Sequence, residues 1–175
     1  MRRKTFAHMN CSVAQALEVV GEWWSMLILR EAFMGTRRFR DFQQNLGIAR
    51  NILSARLGKL VRQGVMRRVP AEGGGRRYEY RLTEKGRALF PAITALRQWS
   101  DRWVMGPDKT PVRALEIASG DDIAEVRVFN RSGRELAPSE VALVAGPGAT
   151  KATRARLEAI LKARNLSASA VRPRR

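Results

Sequence analysis

Apolar side chains recur every three or four residues through most of the first hundred positions, switch briefly to an alternating pattern, and then return to the helical period. Val13, Ala16, Leu17 and Val20 predict a short helix from Ser12 to Val20, with Ser12 as its N-cap and Gly21 ending it. A second helix is predicted from Trp23 to Met34. Its Trp24, Met26, Leu27, Ile28, Leu29 and Phe33 make it apolar nearly all round, which predicts burial. Phe39, Phe42 and Leu46 place a third helix over Arg37–Leu46, followed by a tight turn at Gly47-Ile48. Leu53, Leu57, Leu60 and Val61 form the stripe of a fourth helix, Ala49–Gln63. Gly64 suits a left-handed stop.

The alternation starts at Val65. Val65–Val69 and Arg76–Leu82 read as two strands of a hairpin joined by the glycine-rich tip Pro70–Gly75. Thr83 then caps a long helix, Glu84–Trp103, carrying Leu89, Ile93, Leu96, Trp99 and Trp103. Pro91 should kink it or split off its first turn. Pro107 and Pro111 mark a linker. Val112–Ile117, Ala124–Phe129 and Val141–Val144 read as short strands, with a turn at Arg131-Ser132-Gly133 and an end at Gly146-Pro147-Gly148. Residues 150–164 read as a basic helix with a narrow Leu157, Ile160, Leu161 stripe, and Val171–Arg175 as a disordered tail. No internal repeat is present. The expected architecture is mainly α with a small β-wing (α+β), a winged helix-turn-helix over 1–104. A small β-rich appendage over 105–150 and a basic helix and tail over 151–175 complete it.

At 175 residues the chain can bury a core without disulfide or metal. No apolar run approaches the roughly eighteen residues of a membrane span, and no signal peptide is read at the basic N-terminus. A single cysteine, Cys11, cannot close an intramolecular disulfide, so a cytoplasmic location without membrane association is expected. Charge changes the picture more. The net +17 favours polyanions. Residues 1–104 hold 20 Lys/Arg against 8 Asp/Glu, residues 105–150 hold 5 against 7, and residues 151–175 hold 8 against 1. Basic charge thus sits at both ends, around a nearly neutral middle.

A helix that reads the major groove needs an apolar stripe to hold it and an opposite face of hydrogen-bonding side chains. With the leucines of 49–63 turned inward, Arg50, Asn51, Ser54 and Arg56 lie toward the N-terminal end. Arg suits guanine and Asn suits adenine, while Lys59 and Arg62 suit phosphate or solvent. In the hairpin, three glycines permit close approach. Arg76 and Arg77, with Arg67 and Arg68 expected to face them on the other strand, could reach phosphates or a narrow minor groove. No paired histidines, Ser-His-Asp set, phosphate-binding loop or dinucleotide fingerprint is present, so no catalytic residue and no cofactor is expected. RNA binding is the alternative that the charge allows, but the aromatic platforms that stack single-stranded bases are missing.

These residues resemble the HxlR-type winged-helix regulators, relatives of the MarR group. The resemblance is carried by Cys11, Gly21 and Trp24, by Leu27-Ile28-Leu29-Arg30-Glu31, and by Gly35, Arg38 and Phe39. It continues through Leu53-Ser54-Ala55-Arg56-Leu57, Tyr80-Arg81-Leu82-Thr83-Glu84-Lys85-Gly86 and Trp99. It spans about residues 11–103. It implies a homodimeric repressor or activator on double-stranded DNA, paired through the first and last helices of this region, with Arg38 among the DNA-binding residues. A two-fold dimer implies a pseudo-palindromic operator. The chain departs from the family pattern in having Trp23 where a basic residue is usual and Ala49 where a serine is usual, which weakens the N-cap of the fourth helix.

The resemblance also raises sensing. Some family members respond to oxidants or electrophiles through a cysteine at the position of Cys11; the alternative is a small residue packed in the dimer interface. His8 has no ligand partners in sequence and reads as a surface residue. A small-molecule effector is possible, of unspecified chemistry. Residues 105–150 faintly resemble a family extension with cysteine knuckles. Ser119-Gly120 and Phe129–Gly133 stand where the cysteines would be, so no metal is expected.

Overall fold

The computed structural model describes residues 5–71 and 77–166. Seven α-helices are described: α1 (Ser12–Val20), α2 (Trp23–Phe33), α3 (Phe39–Leu46), α4 (Arg50–Arg62), α5 (Glu84–Arg87), α6 (Phe90–Ser100) and α7 (Lys151–Ala163). One antiparallel sheet joins β1 (Met66–Pro70) to β2 (Tyr78–Leu82). The described residues up to Ala7, with Val13–Val126, form one compact unit. His8–Ser12, with the described residues from Arg127 onward, form another.

The core of the first unit gathers Ile28 and Leu29 of α2, Phe42 of α3 and Leu53, Leu57 and Leu60 of α4, all at 0% exposure. Val65 and Met66 lead into the hairpin from the same core. Each fully buried side chain of this size removes enough apolar surface from water to stabilise the fold by about 1.5–3 kcal/mol. The expectation that α2 would be buried holds for most of the helix: Ile28 and Leu29 are fully buried, and Trp24, Met26, Ala32 and Phe33 pack half-buried against the core. Trp23 is 77% exposed and Met34 is also exposed.

Several boundaries differ from the hydrophobic pattern. Ser12 is the first residue of α1 rather than its cap. α3 begins at Phe39 because Arg37 and Arg38 are extended. Arg38 forms a bridge with Glu79, and Tyr80 N–H donates to the Arg37 carbonyl at 2.8 Å, so these two residues border β2 on its open edge. Pro91 acts as expected: α5 stops at Arg87, and α6 starts at Phe90 with the proline in its first turn. After α6 a single π-helical turn, Asp101–Met105, ends at Gly106.

The end of α4 is tied to the start of α5. Gly64 has φ +68, which lets its N–H donate to the Val61 carbonyl while Val65 N–H donates to that of Leu60. The Thr83 hydroxyl donates to the Gly64 carbonyl at 2.6 Å and accepts from Gly86 N–H at 3.2 Å. Lys85 Nζ donates to the Gln63 carbonyl at 2.9 Å. Orphan carbonyls at the end of one helix are thus satisfied from the first turn of the next. A methyl group on Gly86 would overlap the Val65 carbonyl oxygen, which is why glycine stands there.

Buried Glu31 holds α2 to α3. Its carboxylate accepts from Arg30 Nη2 at 2.8 Å, Thr36 Oγ1 at 3.1 Å and Asn45 Nδ2 at 3.0 Å. Burial pushes its pKa up, but the bonds from Asn45, Arg30 and Thr36 together outweigh that and hold it below the usual 4.5.

The three strands expected between 112 and 144 do not form. Leu115 and Asp122 make one isolated bridge, and Phe129 and Glu135 another. Tight turns explain this. Gly120, at φ +79, reverses the chain after Ser119, and Ile123 N–H donates to the Ala114 carbonyl, so the ladder is used up within a few residues. Ala124 and Val126 instead bond to the amide of Gln98 on α6, which donates to the Ala124 carbonyl at 3.0 Å and accepts from Val126 N–H at 2.8 Å. In the second unit, Asn130 Oδ1 accepts from Ser132 N, Ser132 Oγ and Arg134 N, which closes the turn expected at 131–133. The basic helix is present as α7. Thr150 caps it, and Asn10 Oδ1 accepts from Thr150 N at 3.1 Å and from Thr153 Oγ1 at 2.8 Å. The expected tail, Val171–Arg175, lies outside the described residues.

Two predictions follow from these contacts. Glu31 has a depressed folded-state pKa, so its stabilisation is complete above about pH 4.5 and fades as pH falls through the folded value. Urea melts of Glu31→Gln should show a loss of about 1–3 kcal/mol at pH 7 and a flatter acid limb than the parent. An unchanged acid limb would remove Glu31 from that role. Glycine-to-alanine changes should have opposite signs at two sites. Gly86→Ala should cost about 1–3 kcal/mol or more through overlap. Gly58→Ala meets only the flexible end of Arg62, at 3.3 Å, and should stabilise α4 by up to about 1 kcal/mol.

Candidate nucleic-acid interface

The leucine stripe of α4 turns one side of the helix into the core, and Arg50, Asn51, Ser54, Ala55 and Arg62 remain exposed. The helix starts without a side-chain cap from Ala49. Asn51 compensates from inside the first turn, where its Oδ1 accepts from Ile52 N–H at 2.9 Å. That leaves Nδ2 as the outward donor. Arg50 is held at the helix start by Phe39 of α3, with its guanidinium 5.8 Å from the ring centre. Ala55 and Gly58 lie on the same side as Asn51 and Arg62, one and two turns further on; neither carries a bulky side chain, and the Arg62 guanidinium reaches back to Gly58.

Arg56 behaves differently from its neighbours. Its Nη2 lies 3.2 Å from Glu22 Oε2, just before α2, and both side chains are largely buried. The pair pins α4 to the α2 entrance and draws Arg56 away from the exposed face. Position explains this: Arg56 follows Leu53 by three residues and precedes Leu60 by four, so it borders the leucine stripe. Lys59 is half-buried and engaged by neighbouring groups.

The hairpin register corrects the expected arginine pairing. Arg67 lies opposite Arg81 and Arg68 opposite Tyr80, while the carbonyl of Arg77 accepts from Ala71 N–H at 3.0 Å. Met66 and Leu82 must share the core face, and that requirement sets every other pair. Arg67, Arg68 and Arg77 are exposed. Arg68 stacks over Tyr78 at 4.4 Å from the ring centre. The glycine tip and Arg76 lie outside the described residues. Buried Glu79, at the centre of the sheet, draws in Arg81 at 2.9 Å and stands 4.0 Å from Arg38, whose side chain remains mostly exposed. Arg37 and Arg81 were not among the residues picked from sequence. The alternation of Tyr78, Tyr80 and Leu82 against Glu79 and Arg81 carried the signal for Arg81.

Cys11 and His8 are both exposed in the single chain.

Residues 19–108 match the HxlR-like helix-turn-helix family. The chain is similar to Rv3095, an HTH-type transcriptional regulator of Mycobacterium tuberculosis. The two are 44% identical over 137 residues, covering 78% of this chain and 87% of the relative. Among solved structures it is similar to PA1607, a candidate transcription factor. The TM-score is 0.76 at 45% identity, covering 82% of this chain and all of the other. A second candidate transcription factor, PA1374 of Pseudomonas aeruginosa, aligns with a TM-score of 0.59 at 36% identity, covering 83% of this chain and 99% of the other. No described helix is long and apolar enough to cross a membrane. The helix order, the two-stranded wing and the family match together establish that the chain belongs to the HxlR-like helix-turn-helix family and is a DNA-binding transcriptional regulator of the winged-helix type.

Proposed function

We propose that the protein binds a pseudo-palindromic operator as a homodimer, with α4 in the major groove and the β1–β2 hairpin along the backbone or in the adjacent minor groove. The observation that carries this reading is the division of α4. Leu53, Leu57 and Leu60 are at 0% exposure, while Arg50, Asn51 and Ser54 stand exposed at its N-terminal end. Arg50 and the Nδ2 of Asn51 supply donors for base edges, and Ser54 a hydroxyl. The small residues Ala55 and Gly58 let the helix axis approach the base pairs closely. Arg38, Lys59, Arg67, Arg68, Arg76 and Arg77 neutralise phosphates and set the register without reading sequence. Arg56 is a positioning residue: through Glu22 it fixes the angle of α4 on α2.

Dimerisation is supported by apolar side chains left open on the first and last helices of the winged domain. Val13 and Leu17 of α1, and Leu96 and Trp99 of α6, are exposed, as is Trp103 just beyond. Large apolar side chains left open on both helices call for a partner. A two-fold pair places its recognition helices about 34 Å apart, one turn of duplex. Residues 1–104 are thus assigned both DNA binding and dimerisation.

Operator fragments enriched from random duplex would supply the ligand for anisotropy titrations. Arg50→Ala and Asn51→Ala should lose about 1–3 kcal/mol of discrimination between the operator and its point variants. Arg77→Ala should weaken all duplexes alike and lower the salt slope by about one. Arg56→Ala should lower thermal stability and leave base preference unchanged at temperatures where it is folded. Equal losses on operator and random DNA for all of these would overturn the assignment of roles. Trp99→Glu should yield a monomer in sedimentation velocity and lose high-affinity operator binding. A dimer that persists in this variant would move the interface elsewhere.

A further inference from the structure

The second compact unit carries a cationic surface that the winged domain does not account for. From Arg127 onward its described residues include the carboxylates Glu135, Glu140 and Glu158, against eight Lys and Arg side chains. Glu135 lies 3.4 Å from Arg127 and Glu140 2.7 Å from Arg134, so both are engaged outside α7. α7 holds Lys151, Arg154, Arg156 and Lys162, with Arg164 at its end and Glu158 as its one acid. No ion pair joins these five cations to an acid among the described residues. Arg154 donates to the Gly146 carbonyl at 3.5 Å, and Arg164 to those of Ser139 and Val141 at 2.7 and 3.0 Å. Those bonds leave the charge uncompensated. The side chains of Lys151, Arg156 and Lys162 are exposed and bond to nothing among the described residues.

These three are not spread evenly round the helix. Leu161 is buried, and Thr153 and Leu157 are half-buried, on one side. At about 100° per residue, Lys151 and Lys162 fall along one edge of the opposite side and Arg156 along the other. The exposed residues between those edges, Ala152, Ala155, Ala159 and Ala163, are all alanines. Lys151 and Lys162 stand about 16 Å apart along the helix axis. A duplex presents about ten phosphates over that length. Lys151 also sits in the first turn, where no acid offsets it and the helix dipole opposes it. An anion laid beside the helix relieves both the dipole and the mutual repulsion. The face has no aromatic or large aliphatic anchor, which docking in a protein groove or seating in a lipid surface requires. Charge is what it offers, on a surface low enough for a rigid polyanion to come close.

We propose that the outward face of α7 binds the phosphate backbone of duplex DNA, as a second contact that supplies charge and reads no sequence. The inference rests on the DNA-binding reading of the winged domain. A duplex held there is at high effective concentration for other cations of the same chain. Lys151, Arg156 and Lys162 each take a phosphate and release its counterions. Base discrimination stays with Arg50 and Asn51.

The experiment is an anisotropy titration of the full chain, over a range of salt, on an operator duplex of about 40 bp and a random duplex of equal length. The triple variant Lys151→Gln/Arg156→Gln/Lys162→Gln keeps good helix formers at exposed positions, and circular dichroism confirms that it is folded. It should lower the salt slope by about two to three on both duplexes and leave the ratio of their affinities unchanged. Lys151→Arg/Lys162→Arg should keep the parent slope. Lys109→Gln/Arg131→Gln removes two exposed cations outside α7 and should lower the slope by less than about one. The inference is overturned by a parent slope in the triple variant or by a changed affinity ratio. An equal loss per charge in the Lys109→Gln/Arg131→Gln variant also overturns it, and marks a diffuse field. A triple variant weakened on single-stranded RNA but not on duplex overturns it in favour of RNA. A parent chain that binds no duplex overturns the reading of the winged domain as well, whereas a parent slope in the triple variant overturns this inference alone.

Discussion

The structure depends on the burial of one face of α4. Leu53, Leu57 and Leu60 are removed from water against Ile28, Leu29 and Phe42, and that packing fixes both where the helix lies and which way it is rotated. A helix in which three inward positions are satisfied cannot turn without exposing them. The orientation of Arg50, Asn51 and Ser54 is therefore a consequence of apolar packing on the far side. The leucines lie on the opposite side from the exposed polar face, yet they determine what that face is.

Polar contacts refine what the leucines begin. In the middle of the helix, Arg56 and Glu22 join α4 to the entrance of α2. At its C-terminal end, Thr83 and Lys85 take up the free carbonyls of Gly64 and Gln63, and so couple the end of α4 to the helix that follows the wing. Glu31 does the same for α2 and α3 through three donors. The Glu22–Arg56 and Glu31 links lie partly buried at the border of the core, where a hydrogen bond is shielded from competing water, while those of Thr83 and Lys85 are exposed. The residues that carried the resemblance acquire physical meaning here. The Leu-Thr-x-x-Gly run is a helix-to-helix clamp in which glycine is required by the Val65 carbonyl, and the glutamate after Arg30 is a buried acceptor.

The wing shows how little of an interface is settled by charge alone. Arginines are abundant in the hairpin, but their availability depends on buried Glu79. It takes up Arg81 and partly restrains Arg38, while Arg67, Arg68 and Arg77 remain exposed. A basic surface in this fold is thus sorted, by one internal carboxylate and by strand register, into engaged and exposed arginines.

The order of the helices, the hairpin, the left-handed stop at Gly64, the split at Pro91 and the basic helix after Thr150 were legible from the residues themselves, because each rests on local periodicity, capping or proline and glycine geometry. The same holds for the inward leucines of α4. What local rules could not supply was the choice among equivalent side chains and pairings. Arg56 looks like Arg50 in sequence and is separated from it only by a glutamate more than thirty residues upstream. Arg37 and Arg38 read as the start of a helix, but β2 offered them hydrogen bonds. The alternating stretches between 112 and 129 read as strands, but turns closed before a ladder could extend, and Gln98 took the remaining amides. In each case the outcome was set by which distant donor or acceptor arrived to satisfy a buried or extended backbone group, and only the assembled chain contains that information.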